Sequence, residues 1–182
     1  MDKLTLRKSL LERRETMTKN KIKLDSEIIA DEVISYIQEN SVKTIHIYHS
    51  MDQEISTVEI IEYCLKNNVN VITSKTLKER ALIQLELKSL KKMKLGLFGT
   101  MHPSPEVEYT GNYDLIIVPG IGFDVNKNRL GYGAGYYDTF LKNHKKTKKI
   151  GIAFNYQLIN EIPTEKHDIP MDMIITPDKN IN

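Results

Sequence analysis

The sequence has a single cysteine, Cys64, so no internal disulfide can form and no cysteine cluster can hold zinc. It has no apolar run near the roughly 20 residues that a membrane-spanning helix needs. The opening stretch MDKLTLRKSLLERR is charged throughout and lacks the apolar centre of a secretory signal. An excess of one charge is missing as well: 26 Lys and Arg stand against 24 Asp and Glu, a net charge of +2. Neutralising many nucleic-acid phosphates needs a clear basic excess, so the balance argues against such a surface as the main activity. Internal repeats, low-complexity tracts and long linkers are also absent. What remains is 182 residues, 40% hydrophobic and 27% charged, the composition of a globular chain. The expectation is one domain over residues 1–182, soluble and cytoplasmic, with no membrane and no nucleic-acid partner.

Two periodicities alternate along the chain. Residues 2–19 carry Leu4, Leu6, Leu10, Leu11 and Met17 at helical spacing among charges. A second helix is expected from Ser26 to Glu39, capped by Asp25 or Ser26, with Ile29, Val33 and Ile37 on one stripe. Lys43–Tyr48 reads as a strand, Ser56 or Thr57 opens a third helix, and Asn70–Thr73 and Leu82–Leu87 read as further strands. The apolar run Tyr113–Val118 is a buried strand, Tyr136–Asn143 a short helix, and Lys149–Phe154 and Met173–Thr176 complete the set. Short apolar strands separated by amphipathic helices predict an α/β fold, a three-layer α/β/α sandwich with a mostly parallel sheet.

The chemistry concentrates between Val118 and Asp138, where a buried strand feeds a loop with five glycines and then a helix. Ligands of open α/β sheets sit beyond the carboxyl ends of strands, where such loops lie. Gly131, Gly133 and Gly135 let the backbone approach a ligand, the amides at the helix start favour an anion, and Arg129 is placed to contact phosphate. A plain strand-to-helix turn is the competing reading. No P-loop motif is present, and the G-x-G-x-G spacing misses the dinucleotide fingerprint.

Other residues stay open between two roles. Asp138 is either a magnesium anchor beside phosphate or support for the helix dipole, and the loop residues Asp168 and Asp172 share that ambiguity. Lys3 and Arg7, four apart, share a helix face that is either solvated or turned to an anion. Glu54 follows the first strand, where it either reaches the crevice of the glycine loop or favours the next helix's dipole. Cys64 lies on an apolar stripe and reads as packed and inert. The run KNHKKTKK at 142–149 lacks interleaved aromatics and reads as a solvated helix end.

The segment Pro-Gly-Ile-Gly-Phe-Asp followed by Asn-Arg-Leu-Gly-Tyr-Gly-Ala-Gly-Tyr-Tyr-Asp, within 119–138, resembles the signature of the 5-formyltetrahydrofolate cyclo-ligase family. The opening Lys3-Leu-Thr-Leu-Arg7, Ser50-Met-Asp-Gln-Glu-Ile-Ser-Thr57, Pro103-Ser-Pro105 and Glu165-Lys-His-Asp168 follow in the family's order, so the resemblance runs from end to end. It implies conversion of 5-formyltetrahydrofolate and ATP to 5,10-methenyltetrahydrofolate, ADP and phosphate, with Mg²⁺, by a monomer of α/β sandwich fold. It also implies ATP contacts at Lys3, Leu4, Thr5, Leu6 and Arg7, and at Arg129, Leu130, Gly131, Tyr132, Gly133, Ala134, Gly135, Tyr136 and Tyr137. Of these, Lys3, Arg7 and Arg129 are expected to act on the transferring phosphate. The folate is expected at His49, Met51, Glu54 and the stretch Tyr132–Tyr136, and the metal at Asp138 and Asp168. The chain departs from the family's pattern at Tyr132 and Ala134, where many members carry Arg, Lys or Gly. A sugar-phosphate isomerase or CoA-transferase-like enzyme is the rival class; it would need no ATP, and a general base near the loop would be expected. A folate or nucleotide binder without turnover is the third.

Overall fold

The computed structural model describes residues 1–182. Its elements are α1 (Lys3–Glu15), α2 (Lys19–Glu39), β1 (Thr44–Ile47), α3 (Val58–Lys66), β2 (Asn70–Thr76) and β3 (Leu82–Glu86), followed by β4 (Met93–Leu95) and β5 (Met101–Pro103). Then come β6 (Leu115–Val118), β7 (Gly122–Asp124), β8 (Arg129–Leu130), α4 (Tyr136–Lys142), β9 (Lys148–Ile152), β10 (Leu158–Ile159), β11 (Met173–Ile175) and β12 (Asn180–Ile181). No helix is long and apolar enough to cross a membrane.

Seven strands form the main sheet in the order β12-β11-β9-β6-β1-β2-β3. The five inner strands are parallel, and the edge strands β3 and β12 pair antiparallel to them. Side chains alternate across this sheet as a two-residue period requires. Ile45, Ile47, Leu115, Ile117, Ile150 and Ile152 point to one face, where Ile29, Val33 and Ile37 of α2 and Ile60, Ile61 and Cys64 of α3 meet them. On the opposite face Ile72, Ile116, Val118 and Ile174 pack with Phe140 and Leu141 of α4. The expected α/β sandwich with a mostly parallel sheet is therefore the observed fold. Cys64 is fully buried among the apolar residues, and that burial pushes its thiol up to about 12.

Three local expectations change. The first helix ends at Glu15, and Thr18 caps a longer second helix by accepting from the Lys21 amide. Asp25 and Ser26 are instead buried inside that helix: Asp25 accepts from Lys21 at 2.6 Å, and the Ser26 hydroxyl accepts from the Ser56 amide at 2.9 Å. Both residue types cap well, so tertiary partners decided which one does. The glycine-rich stretch after Val118 is not all loop. It forms a β7–β8 hairpin, and β10 adds a third strand from a distant part of the chain. Strands of two or three residues carry no readable periodicity. Leu10 of α1 packs on Ile121, Leu130 and Ile162, which seats the first helix against this small sheet.

The Phe123 ring, fully buried, lies flat against two glycine backbones. A Cβ at Gly151 would stand 2.5 Å from its Cε1, and one at Gly120 would stand 2.6 Å from its Cζ. Gly151→Ala is expected to destabilise the fold by about 1–3 kcal/mol through overpacking, read as a lower urea midpoint at unchanged slope.

Candidate active site

Strand β1 lies between β2 and β6, and the helix that follows β1 (α3) packs on one face of the sheet while the helix that follows β6 (α4) packs on the other. Such a reversal opens a crevice at the carboxyl ends of the strands. A cavity of about 550 Å³ occupies that place, walled by Tyr48 and His49 after β1 and by Pro119 after β6. Thr73, Ser74 and Thr76 of β2 form its floor on one side, and the loop 129–138 and residues 165–168 close the other.

The first helix supplies two cations. Lys3 and Arg7 share one face and both line the cavity. Lys3 Nζ donates to Asp168 Oδ2 at 2.6 Å and to Glu165 Oε1 at 3.0 Å. Arg7 Nε donates to the Gly131 carbonyl at 2.8 Å. Leu4, Thr5 and Leu6 do not line the cavity, because a helical period turns them away. Leu4 and Thr5 are exposed, while Leu6 packs beneath the helix against the Leu10 cluster.

Arg129 is 8% exposed and folds back along its own loop. Its Nη2 donates to Asp138 Oδ1 at 2.7 Å and its Nη1 to the Pro119 carbonyl at 3.2 Å, while its Nε has no partner. Glycine at 131 leaves room for this course, since a Cβ there would meet the guanidinium at 2.8 Å and push it aside. Gly135 caps α4 with φ +75, which a residue with a side chain adopts only at a cost. The Tyr136 hydroxyl donates to the Leu77 carbonyl at 2.8 Å, tying the helix start to the β2–β3 turn.

Glu54 is 6% exposed, yet its carboxylate reaches the cavity. Oε2 accepts from the Met51 amide at 2.9 Å, and Oε1 accepts from the Tyr132 hydroxyl at 2.5 Å. That hydroxyl in turn accepts from Arg14 Nη1 at 2.7 Å. Burial, then the nearby Glu54 carboxylate, raises the Tyr132 phenol, and burial likewise raises Tyr48 and Tyr137. These cavity tyrosines are therefore neutral near pH 7 and act as hydroxyl donors. Burial lowers His49, which lines the same wall with Met51. His46 faces the other way, fully buried against Phe140; burial drives it down to about 3 and keeps it neutral.

Nowhere do three or more His, Cys, Asp or Glu side chains gather in a way that could hold a metal. Asp138 and Asp168 both line the cavity, and each keeps one oxygen free of hydrogen bonds, Oδ2 in Asp138 and Oδ1 in Asp168. That donor set suits a hard cation that takes few protein oxygens and the rest from phosphate and water.

A model of the 5-formyltetrahydrofolate cyclo-ligase family matches residues 1–177. The chain belongs to that family. The 5-formyltetrahydrofolate cyclo-ligase of Mus musculus is 45% identical over 74 residues, 38% of this chain and 36% of the mouse protein. That of Haemophilus influenzae is 28% identical over 150 residues, covering 79% of this chain and 80% of its own. The match to the mouse protein thus spans about a third of that protein's length. Among solved structures, the 5,10-methenyltetrahydrofolate synthetase of Aquifex aeolicus superposes with a TM-score of 0.86 at 28% identity, over 99% of this chain and 92% of that one.

Within this cyclo-ligase fold, one cavity gathers Lys3, Arg7, His49, Met51, Glu54, the stretch Arg129–Tyr137, Asp138 and Asp168. It also brings in Tyr48, Arg80, Phe98 and His167, which sequence reading did not single out. Arg14 was missed as well, although 3, 7 and 14 follow the helical spacing of one face; that spacing was the available signal. Phe98 and Arg80 hold φ of +56 and +61 in turns, which no local pattern announces.

Burial alone would raise the Asp168 carboxyl, but the Lys3 ammonium and the Glu165 amide outweigh it and hold it below its usual 3.8. A carboxyl lowered in the folded state adds stability above its unfolded pKa and loses it as the pH falls through the folded one. The stability difference between wild type and Asp168→Asn should thus be full at neutral pH and shrink below 3.8, checked by urea unfolding across that range.

Proposed function

We propose that this protein converts 5-formyltetrahydrofolate and ATP to 5,10-methenyltetrahydrofolate, ADP and phosphate, with Mg²⁺. One observation carries this reading most directly. A single cavity holds both a phosphate-type set, Lys3, Arg7 and Arg129 around a glycine loop, and a separate acceptor, Glu54, beside Tyr48, His49 and Met51. Two ligands of different chemistry can thus meet there. The family match over residues 1–177 supports the same reading.

The reaction has a poor leaving group to overcome. The formyl oxygen attacks the γ-phosphorus, a new P–O bond forms, and the bond to the β-phosphate oxygen breaks to release ADP. N10 then attacks the formyl carbon and loses its proton, and the C–O bond breaks with release of phosphate. Transfer of this kind depends on positioning and on neutralising charge, not on a protein nucleophile. Lys3 and Arg7 approach from α1 and Arg129 from the loop, so the phosphates meet cations from two sides. Glu54, its carboxylate fixed by the Met51 amide and the Tyr132 hydroxyl, orients the pterin through its N–H donors. Asp138 and Asp168 would hold Mg²⁺ through their free oxygens, where it would neutralise part of the phosphate charge.

The test mixes the protein, 5-formyltetrahydrofolate and Mg²⁺ and follows methenyltetrahydrofolate absorbance. A rise only when ATP is added is expected; no rise and no ligand binding would overturn the assignment. Arg129→Ala should lower kcat by about 10²–10³, the usual cost of one transition-state donor. Glu54→Gln should raise KM for the folate by at least about tenfold while KM for ATP stays within about twofold, because it weakens a charge-assisted contact made to one substrate.

A further inference from the structure

Arg14 lies on the same face of α1 as Lys3 and Arg7 but does not line the cavity. Its side chain is 9% exposed, an unusual place for a guanidinium unless something uses its charge. Its Nη1 donates to the Tyr132 hydroxyl at 2.7 Å and stands 3.8 Å from Glu54 Oε1. An arginine can only donate, so the tyrosine oxygen must accept from it. The hydroxyl proton is left free to point to Glu54 Oε1, 2.5 Å away. The other carboxylate oxygen already accepts from the Met51 amide. Both oxygens of Glu54 are therefore acceptors, which fixes the orientation of the carboxylate. Its remaining lone pairs are left for the cavity that it lines.

The same chain of bonds holds the glycine loop. Between Gly131 and Gly135 the loop carries one long side chain, Tyr132, and its hydroxyl is fixed to Glu54 and Arg14. Arg7 holds the neighbouring Gly131 carbonyl. Without the Tyr132 contacts, a stretch with φ of +99 at Gly133 and +75 at Gly135 would have little to restrain it.

We propose that Arg14 is a positioning residue for the folate site: acting through the Tyr132 hydroxyl, it keeps the Glu54 carboxylate aimed into the cavity, and it pins the middle of the glycine loop to that carboxylate. The proposal rests on the reading of Glu54 as the folate-binding group.

The experiment is a double-mutant cycle on KM for each substrate, accompanied by amide hydrogen exchange across residues 131–135. Tyr132→Phe keeps the ring and removes only the hydroxyl. It should raise KM for 5-formyltetrahydrofolate about tenfold, as expected for a lost hydrogen bond to a charged group, and raise KM for ATP by clearly less, through the loosened glycine loop alone. Arg14→Met should act on the same constant, and Arg14→Lys, which keeps a donor, should act less. The double variant should fall well short of the product of the two single effects, because most of Arg14's action passes through the hydroxyl and only the weaker 3.8 Å approach to Glu54 Oε1 remains without it. Multiplying effects, an equal rise in both KM values, or unchanged KM would each overturn the proposal. If Arg14→Met does not fold, the cycle with Arg14→Lys is read in the same way. A wild-type protein that does not turn over 5-formyltetrahydrofolate would overturn the functional reading instead. The tie to the loop is then judged on exchange: faster exchange at 131–135 in Tyr132→Phe supports it, and unchanged exchange overturns it.

Discussion

Strand β1 is hydrogen-bonded in parallel to β2 on one side and to β6 on the other, and the site depends on that arrangement. A parallel neighbour cannot follow through a tight turn, so the chain crosses over a face of the sheet before each return. One crossover, through α3, leads to β2 on one side of β1, and β6 takes the other side later in the chain. The loops after β1 and β6 therefore diverge and leave a crevice between them. Glu54 enters it from the first loop, and Arg129 and the glycine stretch enter from the second.

The second constraint is the cost of charge away from water. Arg14 and Arg129 are each 8% exposed and Glu54 is 6% exposed, so leaving any of them without close partners would be costly. Arg129 meets Asp138, Lys3 meets Asp168 and Glu165, and Arg14 meets Glu54 through Tyr132. These pairs fix the walls of the cavity, because each joins two segments of the chain: α1 to residues 165–168, α1 to the loop after β1, and β8 to α4. An Arg129 Nε already buried without a partner is consistent with a guanidinium that has donors to spare.

Much of this was legible locally. The apolar run of β6, the stripe of α2 and the alternation of β1 state their own burial, because each period matches one face of one element. The long motif at 119–138 marks where a ligand is expected, since so many glycines beside an arginine are costly to keep in a chain that has nine in all. The limits of α2 were not legible, because Thr18, Asp25 and Ser26 are equally suited to cap and only the burial of the last two excluded them. Strands β7, β8 and β10 were not legible either, since their pairing joins residues far apart in the chain and each is too short to show a period.

By itself, the sequence determined the layered α/β class, the position of the glycine loop and the presence of cations and carboxylates near it. These follow from neighbours within one element or one loop, where spacing alone sets which side chains share a face. Only the tertiary structure decided which of them meet. Lys3 could be a solvated lysine until residues 165–168 were brought against it, and the spacing that put Arg14 on the face of Lys3 and Arg7 named no partner for it until the packing of α1 brought it to Tyr132 and laid Arg13 over the Tyr156 ring. Charge pairs across more than a hundred residues depend on how the sheet orders its strands, and that order is set by the packing of the whole chain.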